Sequence, residues 1–180
     1  MADRFTRSRR WTLPLALGLS DGILNALVLA SSRLLHGGRS PTVVFSLKVG
    51  CVAFVTALFT MFVAEYADQR AQLARSTRQL SLSGSGHLAT TKLRGRAMRK
   101  AFQAAGVASA FSFVGATLPL ALAAVLSGTP WAGFVVAIVL LAALGAALAA
   151  SFDARVAYWA AALFVAGLAV AAIGSWLDIA

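Results

Sequence analysis

Five apolar stretches, each long enough to cross a bilayer, dominate this 180-residue sequence. A transmembrane helix needs roughly 20 consecutive apolar residues. The stretches cover residues 11–32, 42–66, 101–126, 131–151 and 156–177. Only 12% of the residues are charged, whereas soluble domains average about 25%. The sequence therefore predicts an all-α integral membrane protein in which residues 1–180 form a single polytopic domain with five transmembrane helices.

The basic residues lie mainly on one side of the predicted membrane. Thirteen of the 16 Lys and Arg residues precede the first stretch or lie in the second and fourth connections, and only Arg33 and Arg39 lie on the other side. Because basic loops stay in the cytoplasm, we expect a cytoplasmic N-terminus and an external C-terminus. The usage of Ala, Gly and Arg points to a bacterial plasma membrane. The net charge of +10 thus indicates orientation and contact with anionic lipids, rather than a nucleic-acid partner.

The first stretch has an alternative interpretation as a secretory signal peptide, since a basic segment precedes its apolar core. Asp21 interrupts that core, and four more apolar stretches follow. We therefore interpret the stretch as a helix of the mature protein.

Residues 67–100 form a basic segment with eight Lys or Arg residues, one Asp and no Glu. The sequence from Glu65 to Leu80 contains neither Gly nor Pro, so we expect the second helix to extend into the cytoplasm to about Leu80. The stretch SLSGSGH is expected to end it, and residues 90–102 to form an amphipathic lead-in to the third helix. The residues expected to contact lipid or a protein partner are Arg94, Arg96, Arg99 and Lys100.

Polar residues within the first two stretches are the candidates for function. Asp21 lies near the middle of the first stretch, where a carboxylate costs roughly 2.5–3.5 kcal/mol. Asn25 follows four residues later on the same helical face, and Met61 and Glu65 are four apart in the second stretch. Oxygen ligands with a thioether suit a transition metal, and an acid at mid-membrane suits a proton relay. The simpler alternative is that these polar pairs only hold helices together.

Lys48 in the second stretch has two interpretations. It lies about 9 Å inside the outer end of the helix, so its side chain can extend to the membrane surface. Alternatively, it is a counter-ion for Asp21 in the place of a metal. A straight helix places Lys48 and Met61 about 140° apart, which favours the first interpretation if Met61 faces Asp21.

Three motifs resemble the vacuolar iron transporter family, which includes nodulin-21-like proteins. They are GLSDGILNALVL in the first stretch, FTMFVAEYADQRAQL in the second and SFVGATLPLAL in the third. Their order, the five spans and the orientation all agree with that family. The chain differs in having Ala64 in place of a Gly and a shortened cytoplasmic region that lacks the family's Glu-rich metal-binding part.

The resemblance implies a homodimer that exchanges protons for a divalent metal such as Fe²⁺ and exports it from the cytoplasm. It assigns Asp21, Met61 and Glu65 to metal binding on the transport path. Asn25 has no counterpart assigned from the family, and we include it in the path because it lies four residues from Asp21 on the same helical face. The metal is a substrate, and no permanently bound cofactor is expected. The alternative function is a non-transporting membrane subunit that docks a partner or anionic lipid through its basic segment.

No pattern in the sequence predicts an enzyme. The chain has two His, one Cys and no Gly-rich nucleotide motif. Cys51 is alone, so an intrachain disulfide is excluded, and a small packing residue is favoured over a metal ligand.

Overall fold

The computed structural model describes residues 2–35, 41–80, 87–126, 131–151 and 155–176, and within them every regular element is an α-helix. The helices are α1 (Ala2–Leu35), α2 (Val43–Leu80), α3 (His87–Val125), α4 (Ala132–Ser151) and α5 (Val156–Trp176). Each contains a segment long and apolar enough to cross a membrane. These segments are Trp11–Ser32, Val43–Gln72, Gly95–Val125, Ala132–Ala150 and Val156–Trp176. The prediction of an all-helical chain with five membrane-length helices is confirmed.

The second and third helices are much longer than a bilayer requires. α2 has 38 residues and continues to Leu80, and α3 has 39 residues and begins at His87. At 1.5 Å per residue each is about 57 Å long, nearly twice the thickness of the hydrocarbon core. The predicted lead-in at residues 90–102 is therefore continuous with the third helix. The break expected between the two helices falls largely on residues 81–86, outside the described residues.

α1 occupies the centre of the bundle, where it contacts all four other helices. On one side, Ile23 and Leu27 pack into a core with α4 and α5. The residues that α4 and α5 contribute to this core are Ala137, Ile138, Leu141 and Ala171. On the other side α1 packs along α3, and α2 packs mainly on α3. Helices α4 and α5 therefore support the centre of the bundle and leave one face of α1 to the remaining two helices.

Small residues allow these helices to approach closely. A Cβ atom added to Gly167 of α5 would lie 2.7 Å from Leu141 Cδ2, closer than ordinary van der Waals contact. A Cβ atom on Gly174 would lie 3.0 Å from Val28 Cγ1 of α1. On the opposite side, Cβ atoms on Gly18 and Gly22 would overlap the backbone of α3. Close packing on both sides fixes the orientation of α1 and hence the direction of its polar face.

Candidate functional site

Helices α1 and α2 both pack against α3 but touch each other only slightly, so the surface over α3 between them forms a groove. α1 presents one exposed face in the same region. Four exposed residues recur at every fourth position along this face, namely Leu13, Leu17, Asp21 and Asn25. Because residues four apart share a helical face, the acid and the amide lie on one face of a membrane-length segment. That face needs a polar partner or a covering surface in lipid.

Asp21 is joined to both neighbouring helices through Ser112 of α3. The Ser112 hydroxyl donates a 2.9 Å hydrogen bond to Asp21 Oδ2 and lies 3.3 Å from the carbonyl oxygen of Ala53 in α2. Ser112 is completely buried, whereas Asp21 is exposed. The carboxylate thus has one oxygen bonded inside the bundle, and the side chain as a whole remains accessible from outside the chain.

The close crossing of α1 and α3 brings Ser112 to the acid. A Cβ atom on Gly22, the residue after Asp21, would overlap the Ser112 carbonyl oxygen and lie 2.8 Å from the Ala116 amide nitrogen. A Cβ atom on Gly115 would lie 2.8 Å from the carbonyl oxygen of Leu19. Glycine on both helices therefore allows backbone contact at the level of the Asp21–Ser112 bond. A larger residue would separate the two helices and lengthen that bond.

A small cavity opens between the same three helices, nearer the N-terminal end of α1. Its volume is about 190 Å³, comparable to the volume of roughly six water molecules in the liquid. It contains a carboxylate, a thioether, an ammonium and an amide. The residues that line it are Trp11, Leu13, Pro14, Met61, Glu65, Lys100, Gln103 and Ala104. The structure thus brings Met61 and Glu65 together, as their spacing predicts.

Further contacts hold the α2 side of this cavity in place. Glu65 Oε1 accepts a 2.9 Å hydrogen bond from Gln69 Nε2, one turn further along α2. The ring of Phe62 stacks on Tyr66 and meets Phe102 of α3 edge to face, each at 5.9 Å between centroids. These aromatic contacts pack α2 against α3 beside the cavity. The donor to Glu65 is a neutral amide, so the charge of the carboxylate remains available to a cation.

Asp21 and Met61 are separated along the bundle. Asp21 lies at the level of Ala53 through their shared contact with Ser112, and Met61 follows Ala53 by eight residues, or about 12 Å of helix. Within one chain, a single ion therefore cannot contact both side chains. Among the described residues, no three His, Cys, Asp or Glu side chains form a group that would hold a metal ion.

The remaining predicted residues whose side chains are described lie at the surface of the chain. Lys48 is exposed on α2, about 7.5 Å along the axis from Ala53, and the hydrogen bond that Asp21 accepts comes from Ser112. Arg96 and Arg99 are exposed on α3, and the side chain of Arg94 lies outside the described residues. Cys51 is also exposed within the single chain. Lys100, which the sequence grouped with the lipid-contacting residues, is exposed as well and also lines the cavity with Met61 and Glu65.

Two site residues were not assigned from the sequence. Ser112 lies within the motif SFVGATLPLAL, but the spacing of that motif gives no partner for its hydroxyl. Gln103 follows the basic cluster and resembles an ordinary surface residue. No protein-family model, curated protein or solved structure matches the chain, so conclusions about function depend on this arrangement of residues.

Proposed function

We propose that this protein is a membrane transporter that exchanges protons for a divalent metal such as Fe²⁺ or Mn²⁺ and exports the metal from the cytoplasm. The main support is the environment of Asp21. It is a carboxylate in the middle of an apolar helix, bonded to Ser112 on one side and accessible on the other. An ionisable residue in such a position is costly and is a recurrent feature of ion and proton pathways.

The groove between α1 and α2 supplies a path to that acid. A metal first meets Met61 and Glu65 in the cavity, where a thioether and a carboxylate offer ligands suited to a borderline transition metal. It then moves about 12 Å along the groove to Asp21. The two positions act in succession, since one ion does not reach both within a chain. Asn25, one turn beyond Asp21 on the same face, continues the path.

A homodimer completes the path in this proposal. The exposed face of α1 carries Asp21 and Asn25 between apolar residues, and lipid covers such a face poorly. A second copy placed against it shields the path and supplies a second set of the same ligands. The excess of basic residues beside the N-terminus and between α2 and α3 supports a cytoplasmic N-terminus. The proposed membrane is a bacterial plasma membrane, to which the usage of Ala, Gly and Arg points.

Flux measurements in proteoliposomes test the proposal. Fe²⁺, Mn²⁺ and Zn²⁺ are supplied in turn while a pH-sensitive dye follows proton movement. Asp21→Asn keeps an oxygen acceptor for Ser112 but removes the charge, so we expect the folded protein to lose both metal flux and coupled proton movement. Asp68→Asn is the matched control, since Asp68 is exposed and bonds only to Gln72 among the described residues. Normal transport by Asp21→Asn would reject Asp21 as the transport acid and leave it as a contact between helices.

A second candidate is a non-transporting membrane subunit that docks anionic lipid or a protein through residues 67–100. The position of Lys100 supports this second candidate, because its ammonium group lies in the same cavity as Met61 and Glu65 and opposes the entry of a metal cation. Thermal unfolding in detergent separates the two candidates. A divalent ion that binds only the folded state raises the unfolding temperature by mass action, whereas the docking function predicts no metal effect.

A further inference from the structure

Ser112 directs its hydroxyl differently from the serines around it. In Ser20, Ser31, Ser109 and Ser175, the hydroxyl donates to a carbonyl oxygen three or four residues earlier in the same helix. This is the usual arrangement for a serine within a helix. The Ser112 hydroxyl instead lies 2.9 Å from Asp21 Oδ2 on α1 and 3.3 Å from the Ala53 carbonyl oxygen on α2. It is therefore a polar contact among three helices at a completely buried position.

The two acceptors near this hydroxyl are unequal. A serine hydroxyl has one proton to donate, so a full hydrogen bond goes to one acceptor at a time. A carboxylate is the stronger acceptor because the bond is charge-assisted. The Ala53 carbonyl oxygen also lies 3.1 Å from the Thr56 hydroxyl, although that hydroxyl is slightly closer, at 3.0 Å, to the Val52 carbonyl oxygen. Because Ala53 lies inside α2, its carbonyl oxygen also accepts the backbone N–H of the next helical turn and does not depend on Ser112. In the absence of a cation the proton consequently points to Asp21.

We propose that Ser112 is a positioning residue that links the occupation of Asp21 by a cation to helix α2. Its hydroxyl holds Oδ2 of Asp21 against α3 and leaves the other carboxylate oxygen for a divalent cation in the groove. A cation bound by the carboxylate withdraws electron density from it and weakens it as an acceptor. The hydroxyl then turns to the Ala53 carbonyl oxygen, which strengthens the contact between α3 and α2.

The inference depends on the proposed function only in taking a divalent metal as the cation. The positioning role of Ser112 couples α1, which carries Asp21, to α2, which carries Met61 and Glu65. The transport path alone does not include this coupling. Occupation of Asp21 thereby alters the hydrogen bonding of the helix on the other side of the groove.

Infrared spectroscopy of the intact protein in lipid nanodiscs tests the positioning role without metal. The carboxylate band of Asp21 is assigned from its loss in Asp21→Asn. We expect this band to shift in Ser112→Ala and to return to the wild-type frequency in Ser112→Thr, which restores a hydroxyl. Ser109→Ala is the matched control, since Ser109 is equally buried but bonds only within its own helix among the described residues. An unshifted band in a folded Ser112→Ala protein overturns the positioning role.

Isotope labelling then tests the response of α2. The chain has a single cysteine, so the double variant Cys51→Ala, Ala53→Cys grown with carbonyl-labelled cysteine carries one labelled carbonyl at position 53. Mn²⁺ is expected to shift this labelled band when Ser112 is present and to leave it unshifted in Ser112→Ala. The unmodified chain, labelled at Cys51, provides a control carbonyl two residues away and should not respond.

The possible failures are distinguishable. If Mn²⁺ shifts the Asp21 band but leaves the labelled carbonyl band at position 53 unshifted, the link to α2 is overturned. Failure of Mn²⁺ to perturb the Asp21 band overturns the cation-driven step and also contradicts the proposed metal path. The metal-free comparison of Ser112→Ala with Ser109→Ala still decides whether Ser112 positions the acid.

Discussion

Gly18 of α1 lies directly against the carbonyl group of Ala108 in α3, with no space for a side chain between them. One turn further along, Gly22 has the same relationship to Ser112. Backbone contact at two successive turns fixes the distance between the two helices, and the hydrogen bond from Ser112 to Asp21 depends on that distance. The glycines are therefore as important to the candidate site as its polar residues.

Gly18→Ala is expected to destabilise the bundle, because the added methyl group overlaps backbone atoms that cannot rotate away. The expected loss is about 1–3 kcal/mol, typical of overpacking. Gly106→Ala is the control, since a Cβ atom there meets nothing within 4 Å and helix propensity favours Ala by about 1 kcal/mol. Measured by thermal or chemical unfolding in detergent, the stability of Gly18→Ala should fall below that of the wild type, and the stability of Gly106→Ala should rise above it. Equal stability of both would contradict the close contact between α1 and α3.

Lys100→Gln is expected to tighten the binding of Mn²⁺. The substitution removes a positive charge from a cavity of about 190 Å³ that also contains Met61 and Glu65. We expect a decrease in Kd of about tenfold, equivalent to about 1.4 kcal/mol, measured by calorimetry on the detergent-solubilised protein. Arg99→Gln removes the same charge from the adjacent position, which is also exposed but does not line the cavity, and should change the Kd far less. An unchanged Kd in Lys100→Gln would show that the charge of Lys100 does not affect cation binding.

Met61→Leu should separate the recognition of metal from the movement of protons. Leucine preserves the apolar volume of the cavity but lacks the soft sulfur ligand. In proteoliposomes we expect discrimination between Fe²⁺ and Zn²⁺ to weaken, while proton movement changes less. Met98→Leu, at an exposed position of α3, provides a comparison for the loss of a thioether elsewhere. Unaltered discrimination would show that Met61 contributes packing alone.

The orientation of the chain can be measured with single cysteines introduced after Cys51→Ser. Position 74 on the extension of α2 and position 126 at the end of α3 are both exposed. The asymmetry of basic residues predicts that a membrane-impermeant thiol reagent reaches position 74 from the cytoplasm and position 126 from outside. The reverse pattern would invert the proposed direction of metal movement.

The main features of the fold could be predicted because they depend on local properties of the sequence. Apolar length identifies the five helices, and the absence of Gly and Pro after Glu65 predicts the continuation of α2 to Leu80. Helical periodicity likewise places Asp21 and Asn25 on one face. The unbroken course of α3 from His87 was not predicted, since basic residues near the membrane surface also fit a separate amphipathic segment.

The partners of the site residues depend on how helices cross, and a single sequence does not encode that directly. Ser112 belongs to α3 and meets Asp21 only because glycines on both helices permit backbone contact. Lys100 belongs to an exposed basic cluster, and the sequence did not indicate that its place on α3 also puts it in the lining of the cavity. The sequence likewise does not give the register between α1 and α2, from which the separation of Asp21 and Met61 by about 12 Å of helix follows.

The bond from Ser112 to Asp21 joins residues that are 91 positions apart, which has a consequence for synthesis of the chain. Ribosomes add about 5–20 residues per second, so α1 precedes its hydrogen-bond donor by roughly 5–18 s. During that interval the carboxylate lacks the donor it has in the folded bundle and must be accommodated by the insertion machinery or by water. Release of α1 into lipid is therefore expected to wait for α3, which makes the two helices a single unit of membrane insertion.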